Sequence, residues 1–280
     1  MNPLQIVFGR MVAGAAVMVT VLALARHHLP RGPAPWAHLA VMAVVANIAP
    51  YFFFGWGIER IASGLAGVLN ATTPLFTLAF ALTIRSERLS AVRMAGLLLG
   101  FVGVVVLAAP WRTTAFGGSL PGVGACLLGS ACYAASYVYA RRFLTGRGFS
   151  TLVLSTGQMA AGALLLVLAT PIVARNPVTL TPTVIASVLV LGILGTGVAY
   201  VLNYRLIADE GAIAASTVTY LLPVVAVVLG ALILNEPLTW HLLAGGAIVL
   251  VGVAVSEGRL SQTVREEPLR HQEELERRNL

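Results

Sequence analysis

Apolar runs close to the ~20 residues that cross a bilayer as a helix follow one another along this chain, with short polar breaks between them. Nine spans are predicted, at roughly 4–25, 36–57, 63–84, 91–109, 119–140, 150–173, 182–204, 212–234 and 239–256. The breaks carry turn-forming residues, as in "LPRGPAPW" (29–36), "GGSLPG" (117–122) and "RNPVTLTPT" (175–183). From Glu257 the pattern ends in "EGRLSQTVREEPLRHQEELERRNL", whose mixed charges predict a solvated tail over 257–280.

Two stretches share one pattern. "TTPLFTLAFALTIRSERLSAVRMAG" (72–96) and "LLPVVAVVLGALILNEPLTWHLLAG" (221–245) each place a proline thirteen residues before a glutamate across an apolar run. A shift of 149 residues aligns Tyr51–Val106 with Tyr200–Val255 without a gap, pairing Pro74 with Pro223, Glu87 with Glu236, Gly96 with Gly245 and Gly103 with Gly252. Leucine matches leucine easily in apolar chains, but registered proline, glutamate and glycines point to an internal duplication.

The shift lays spans 1–4 on spans 6–9 and leaves span 5 without a partner, so the ancestral unit has five helices. The first repeat (1–110) then lacks its first helix and the second (119–256) is whole; either a first helix precedes Met1 or the protein lacks it. The first span ends in Ala23-Leu24-Ala25, like a signal-peptide cleavage site, but its place in the repeat argues that it stays.

Five is odd, so the copies have opposite orientation. Charge tests this independently. Loops on one side hold Arg26, Arg31, Arg85, Arg88, Arg93, Arg141, Arg142, Arg147 and Arg205, and the tail adds five arginines. Loops on the other side hold Arg60, Arg112 and Arg175. The arginine-rich side, with the C-terminus, is predicted to be cytoplasmic.

Composition narrows the class. The chain of 280 residues is 58% hydrophobic and 10% charged, with a mean hydropathy of +0.88. A soluble domain needs more polar surface than this. The net charge of +7 comes from arginine alone, in loops where it sets orientation, so nucleic acid is not an expected partner. Cys126 and Cys132 have neither redox-dithiol nor zinc spacing, and the histidines at 27, 28, 38, 241 and 271 lie in or beside loops. Neither metal nor cofactor is expected.

"IERIASGLAGVLNATTPLFTLAFALTIRSERLSAVRMAGLLLGFVGVVVL" (58–107) and "ADEGAIAASTVTYLLPVVAVVLGALILNEPLTWHLLAGGAIVLVGVAV" (208–255) resemble the paired motif of the EamA-type branch of the drug/metabolite transporter superfamily. "FGRMVAGAAVMV" (8–19) resembles that family's arginine-led second helix. The resemblance implies an all-α polytopic membrane protein with two inverted five-helix repeats. It also implies a carrier that exports metabolites, often amino acids, across the inner membrane. This chain departs from the pattern in lacking the first helix.

Inverted repeats place a substrate site at mid-membrane depth, where polar side chains are costly and seldom face lipid. Asn47 and Tyr51 share a helical face, the shift carries them to Thr196 and Tyr200, and Asn203 continues that face. These residues fit either a cavity wall or hydrogen bonding between helices. Asn70 and Thr73 precede Pro74, and Thr219 precedes Pro223. Here the choice lies between repair of a proline kink and substrate contact, with the prolines as hinges.

Tyr133 and Tyr137 form a stripe with Ser130 that suits either packing or a cavity wall. Glu87 and Glu236 are expected to cap the helices that follow. Arg10, in the first turns of span 1, is expected to snorkel or to pair near the outer face.

Apart from Arg10, no charged group lies at mid-membrane depth in the sequence pattern. Proton-coupled carriers usually use a buried carboxylate or histidine, so gradient-driven facilitated export by alternating access is the expectation. A membrane-embedded enzyme would need paired acids, a Ser/His/Lys set or a metal cluster, and none is visible. A multidrug or lipid-linked sugar carrier remains the alternative within the superfamily, and the oligomeric state is open.

Overall fold

The computed structural model describes residues 3–84, 90–109, 119–169, 181–234 and 239–257. All regular structure in these residues is helical. Eight helices are long and apolar enough to cross a membrane, and Trp240–Ser256 is a shorter ninth. They follow the nine predicted spans.

In chain order the helices are α1 (Pro3–Leu24), α2 (Pro33–Ala43), α3 (Ala49–Ile58), α4 (Ser63–Asn70), α5 (Thr73–Thr83), α6 (Ala91–Ala108), α7 (Leu120–Phe143) and α8 (Thr151–Leu168). Then come α9 (Pro182–Gly192), α10 (Ala199–Glu210), α11 (Ala212–Thr217), α12 (Leu221–Leu234) and α13 (Trp240–Ser256). Their starts follow local chemistry. Pro33 and Pro182 occupy first-turn positions, where a missing N–H costs nothing, and Ser90, Ser150 and Thr181 accept a backbone N–H at the N-caps of α6, α8 and α9.

Two spans are continuous rods with a widened turn inside. A π-turn, Val44–Ile48, joins α2 to α3, and a second, Ile193–Val198, joins α9 to α10. They begin 149 residues apart. In the first, Pro50 cannot donate to the Ala46 carbonyl four residues back and its ring crowds that oxygen, so the regular ladder gives way. The second has no proline, and its sequence, "ILGTGV", carries two glycines instead. Span 7 runs on to Glu210 rather than 204, ending at Gly211, whose φ of 94° only glycine adopts readily. Arg141 closes that end by donating from Nη1 to the carbonyls of Ile207 (3.1 Å) and Ala208 (2.6 Å).

The third span is broken. After α4, Ala71 and Thr72 form a turn before Pro74 opens α5. The break recurs 149 residues on, as a 3₁₀ turn over Val218–Tyr220 before α12.

Compactness divides the chain into two units that do not follow chain order: residues 1–86 with 117–216, and residues 87–116 with 217–280. The first unit contains α1–α5 and α7–α10. Its outer positions are apolar, and along α9–α10 Val190, Leu194 and Leu202 are each more than half exposed, a stripe suited to lipid. In the second unit α6 packs along α13 at backbone contact. A Cβ on Gly252 would strike the Gly100 backbone, and one on Gly245 the backbone of Leu107. Tyr220 fills the space beside Gly100 and donates to the Leu97 carbonyl at 3.0 Å.

Candidate functional site

The first unit gathers polar side chains from six spans. The two π-turns lie at its centre. The Tyr200 hydroxyl donates to the Ala46 carbonyl, the oxygen that Pro50 cannot serve. Ser155 donates to the Gly197 carbonyl at 3.1 Å, and Thr196 turns its hydroxyl back to the Leu191 carbonyl at 2.8 Å. Bilayer interiors offer no water to widened turns, so these hydroxyls supply the missing partners.

Gln158 on α8 connects the first turn to α10. It is fully buried, donates from Nε2 to Oδ1 of Asn47, and accepts at Oε1 from the Tyr204 hydroxyl. Asn47, also fully buried, turns Nδ2 toward the Tyr51 hydroxyl at 3.5 Å. The chain Tyr204–Gln158–Asn47–Tyr51 therefore crosses four helical segments.

Arg10 lies at the far side of Tyr51. Its Nε and Nη2 donate to Thr196 Oγ1 at 3.2 and 3.1 Å, and Nη2 also reaches the Tyr51 hydroxyl (3.2 Å) and the Gly195 carbonyl (3.3 Å). The guanidinium carbon stands 4.2 Å from the Tyr51 ring centre, within cation–π range. Tyr51 in turn meets Tyr133 edge-on at 6.3 Å, and Tyr133 stacks on Phe54 at 6.1 Å.

Ser130, Tyr133 and Tyr137 place these contacts along one stripe of α7. At one end Ser130 donates to the Leu69 carbonyl at 2.8 Å, which also accepts from the Thr72 hydroxyl at 2.6 Å. The break before Pro74 is thus repaired by Ser130 and Thr72. Asn70 and Thr73 take no part in it: Asn70 Oδ1 and Thr73 Oγ1 are buried without a hydrogen-bond partner. At the other end the Asn203 side chain lies beside the Tyr137 hydroxyl, and its Oδ1 is buried and unpartnered.

Of the residues expected from sequence, Asn47, Tyr51, Asn70, Thr73, Tyr133, Tyr137, Thr196, Tyr200 and Asn203 all belong to this unit. The matched tyrosines are used differently: Tyr200 is 7% exposed and ties one span to the next, whereas Tyr51 is half-buried and holds Arg10. Thr219, in the 3₁₀ turn, and Pro223 belong to the second unit. Pro74 and Pro223 sit in the first turns of α5 and α12, where they start helices rather than kink them midway. The caps assigned to Glu87 and Glu236 fall outside the described residues.

Three features escaped the sequence reading. Gln158 is a polar residue at mid-span depth, which is itself a signal. Arg10, expected to snorkel or to pair, pairs with Tyr51 and Thr196, partners the sequence reading did not name. His38 lies within α2, not in a loop, with Nδ1 2.6 Å from the Tyr139 hydroxyl and its ring stacked on Phe143 at 5.3 Å. Among the described residues no three His, Cys, Asp or Glu side chains gather as a metal site.

Comparison with known proteins agrees with this architecture. A family model described as the EamA-like transporter family matches residues 1–109 and 120–257. An uncharacterized inner membrane transporter, YedA of Escherichia coli K12, is 30% identical over 274 residues, covering 92% of this chain and 82% of its own. The uncharacterized transporter YvbV of Bacillus subtilis is 26% identical over 85% of this chain and 77% of its own. A crystal structure with 23% identity superposes with a TM-score of 0.75 over 91% of this chain and 89% of its own, which shows a shared fold.

Proposed function

The chain belongs to the EamA-like transporter family, a multi-pass membrane protein, and we propose that it exports small amphipathic metabolites, amino acids foremost, across the inner membrane. The observation that carries the substrate class is the set of buried, unpartnered oxygens at Asn70, Thr73 and Asn203 beside the tyrosine stripe of α7. A buried acceptor left without a donor costs on the order of 1–3 kcal/mol. Such acceptors suit a substrate bearing an ammonium or amide N–H. The surrounding rings of Tyr51, Tyr133 and Phe54 suit an apolar side chain.

The mechanism proposed is alternating access between inverted repeats, 1–110 and 119–256, with the C-terminus in the cytoplasm as the loop arginines indicate. A lipid-linked sugar or multidrug cation is the second reading, but no carboxylate stands in the described polar cluster to hold a cation. The test is counterflow by the purified full-length chain in proteoliposomes, loaded in turn with each amino acid, a lipophilic cation and a lipid-linked sugar. Exchange of amino acids supports the reading; exchange confined to the cation or the lipid overturns it.

A further inference from the structure

Arg10 is a charge inside a candidate membrane span without a matching charge among the described residues. It lies in the candidate span Leu4–Leu24, where a guanidinium costs several kcal/mol unless it is paired or solvated. Every partner it has is neutral: one alcohol, one phenol, one carbonyl and one aromatic face. The ion pairs among the described residues, Glu59–Arg60 and Arg205–Asp209, both lie outside this cluster.

The geometry also shows which part of the group is in use. Nε and Nη2 are committed to Thr196, Tyr51 and Gly195, while Nη1 makes no hydrogen bond to any described residue. The guanidinium is fixed on one edge by Thr196 and on one face by the Tyr51 ring, and keeps two N–H groups for something else. A side chain held in this way has already lost its rotamer freedom, so an anion meeting it gains most of the charge-assisted bond. One cation whose described partners are all neutral matches a single negative charge. The N–H groups of the free Nη1 can make charge-assisted bonds to carboxylate oxygen.

We propose that Arg10, with Tyr51 beside it, is the carboxylate subsite of the transported molecule. The substrate carboxylate takes the free Nη1 N–H groups and balances a charge that no described residue pairs. This rests on the transport reading above for the site facing substrate, but not on the substrate being an amino acid. With the unpartnered oxygens near α7, it orients a zwitterion with its carboxylate toward α1.

The experiment uses the full-length chain in nanodiscs and calorimetric binding of matched triplets built on each of several side chains: the amino acid, its carboxamide, and the corresponding acid without the amino group. The unaltered chain is expected to prefer carboxylate to carboxamide by about tenfold or more, and Arg10→Gln to erase that preference. Arg10→Lys, which keeps the charge but not the fork, is expected to weaken carboxylate binding about tenfold and leave the carboxamide unchanged. This second variant decides the matter should Arg10→Gln fail to fold.

Retained preference in Arg10→Gln, equal losses for both compounds in Arg10→Lys, or no binding of any carboxylate overturns the proposal. Arg10-dependent binding of the acids without an amino group, with the amino acids excluded, would uphold the carboxylate subsite and sink the amino-acid reading.

Discussion

Gln158 donates from Nε2 to Oδ1 of Asn47, joining α8 to the π-turn between α2 and α3, where both side chains are fully buried. A π-turn is a local fault in the helix ladder, and here it is stabilised by a partner from another span. Replacing Gln158 by Leu leaves Asn47 Oδ1 and the Tyr204 hydroxyl without their partner. Hydrogen bonds between membrane helices contribute about 0.6 kcal/mol on average, and stranded buried groups cost more, so a loss of about 1–3 kcal/mol is expected. Thermal unfolding in nanodiscs measures it. The pair Gln158→Leu with Asn47→Leu should lose less than the sum of the two single changes, because one bond is counted in both. Strict additivity would sink the linkage.

Asn70 and Thr73 predict the opposite balance between stability and activity. Their side-chain oxygens have no partner, so Asn70→Leu and Thr73→Val remove polar atoms that do nothing for the fold. Stability should stay within about 0.5 kcal/mol of the parent or rise. Transport should fall about tenfold or more if these oxygens meet substrate. A marked drop in melting temperature with transport per folded molecule unchanged would show instead that they serve the helix break.

Tyr51 holds Arg10 in two separable ways, through its hydroxyl and through its ring. Tyr51→Phe keeps the ring and removes the hydroxyl, and a net hydrogen bond of about 0.5–1.5 kcal/mol corresponds to roughly a two- to tenfold fall in uptake. Tyr51→Leu removes both and should fall a further few-fold, in line with a cation–π contact of about 0.5–2 kcal/mol. Initial rates of counterflow rank the variants. Equal rates for the phenylalanine and leucine forms would remove the ring from the site.

The spans were legible because each apolar run is long enough to cross a bilayer and each break carries its own turn residues. Matched polar residues were legible too, since the repeat marks Asn47 with Thr196 and Tyr51 with Tyr200. A search for matched pairs looks past positions where the copies differ, and the cluster is asymmetric at those positions. The shift carries Arg10 to Met159, and it carries Gly9 to Gln158. Arg10 and Gln158 therefore have no echo in the other copy, yet one holds Tyr51 and Thr196 and the other joins the first π-turn to α10. Tyr200 shows the converse: matched in sequence to Tyr51, it is spent on the carbonyl that Pro50 cannot satisfy. Which hydroxyl repairs a break is a matter of neighbouring spans, so Thr72 and Ser130 at Leu69 could not be read from the chain order alone.

Close packing of α6 on α13 gives a stability prediction with its own control. A Cβ on Gly252 would meet the Gly100 backbone, which cannot move aside as a side chain can. Gly252→Val is expected to cost about 3 kcal/mol or more, at or beyond the usual range for overpacking. On the same helix a Cβ at Gly246 meets nothing within 4 Å. Gly246→Ala should therefore be neutral or stabilising by about 0.5–1 kcal/mol, the helix penalty of glycine. Comparable losses in the two variants would mean that helix propensity, not close approach, governs this pair.

Energy coupling can be argued from the kinds of groups present. The polar cluster of the first unit consists of a guanidinium, phenols, amides and alcohols, from Arg10, Tyr51, Tyr133, Tyr137, Asn47, Gln158, Asn203 and Thr196. An arginine stays charged through the physiological range, so it is a poor proton carrier, and free phenols titrate near pH 10. Proton-driven carriers depend on a group that changes charge near neutrality. The imidazole of His38 is held against Tyr139 and Phe143, away from Arg10's contacts. The expected outcome is that an inward or outward pH gradient of two units imposed on proteoliposomes leaves the steady-state distribution of substrate equal on both sides. A substrate gradient alone should drive net flux. Uphill accumulation that follows the proton gradient and is lost in His38→Gln would overturn this expectation and assign coupling to the His38–Tyr139 pair; accumulation that survives that change would place it elsewhere in the chain.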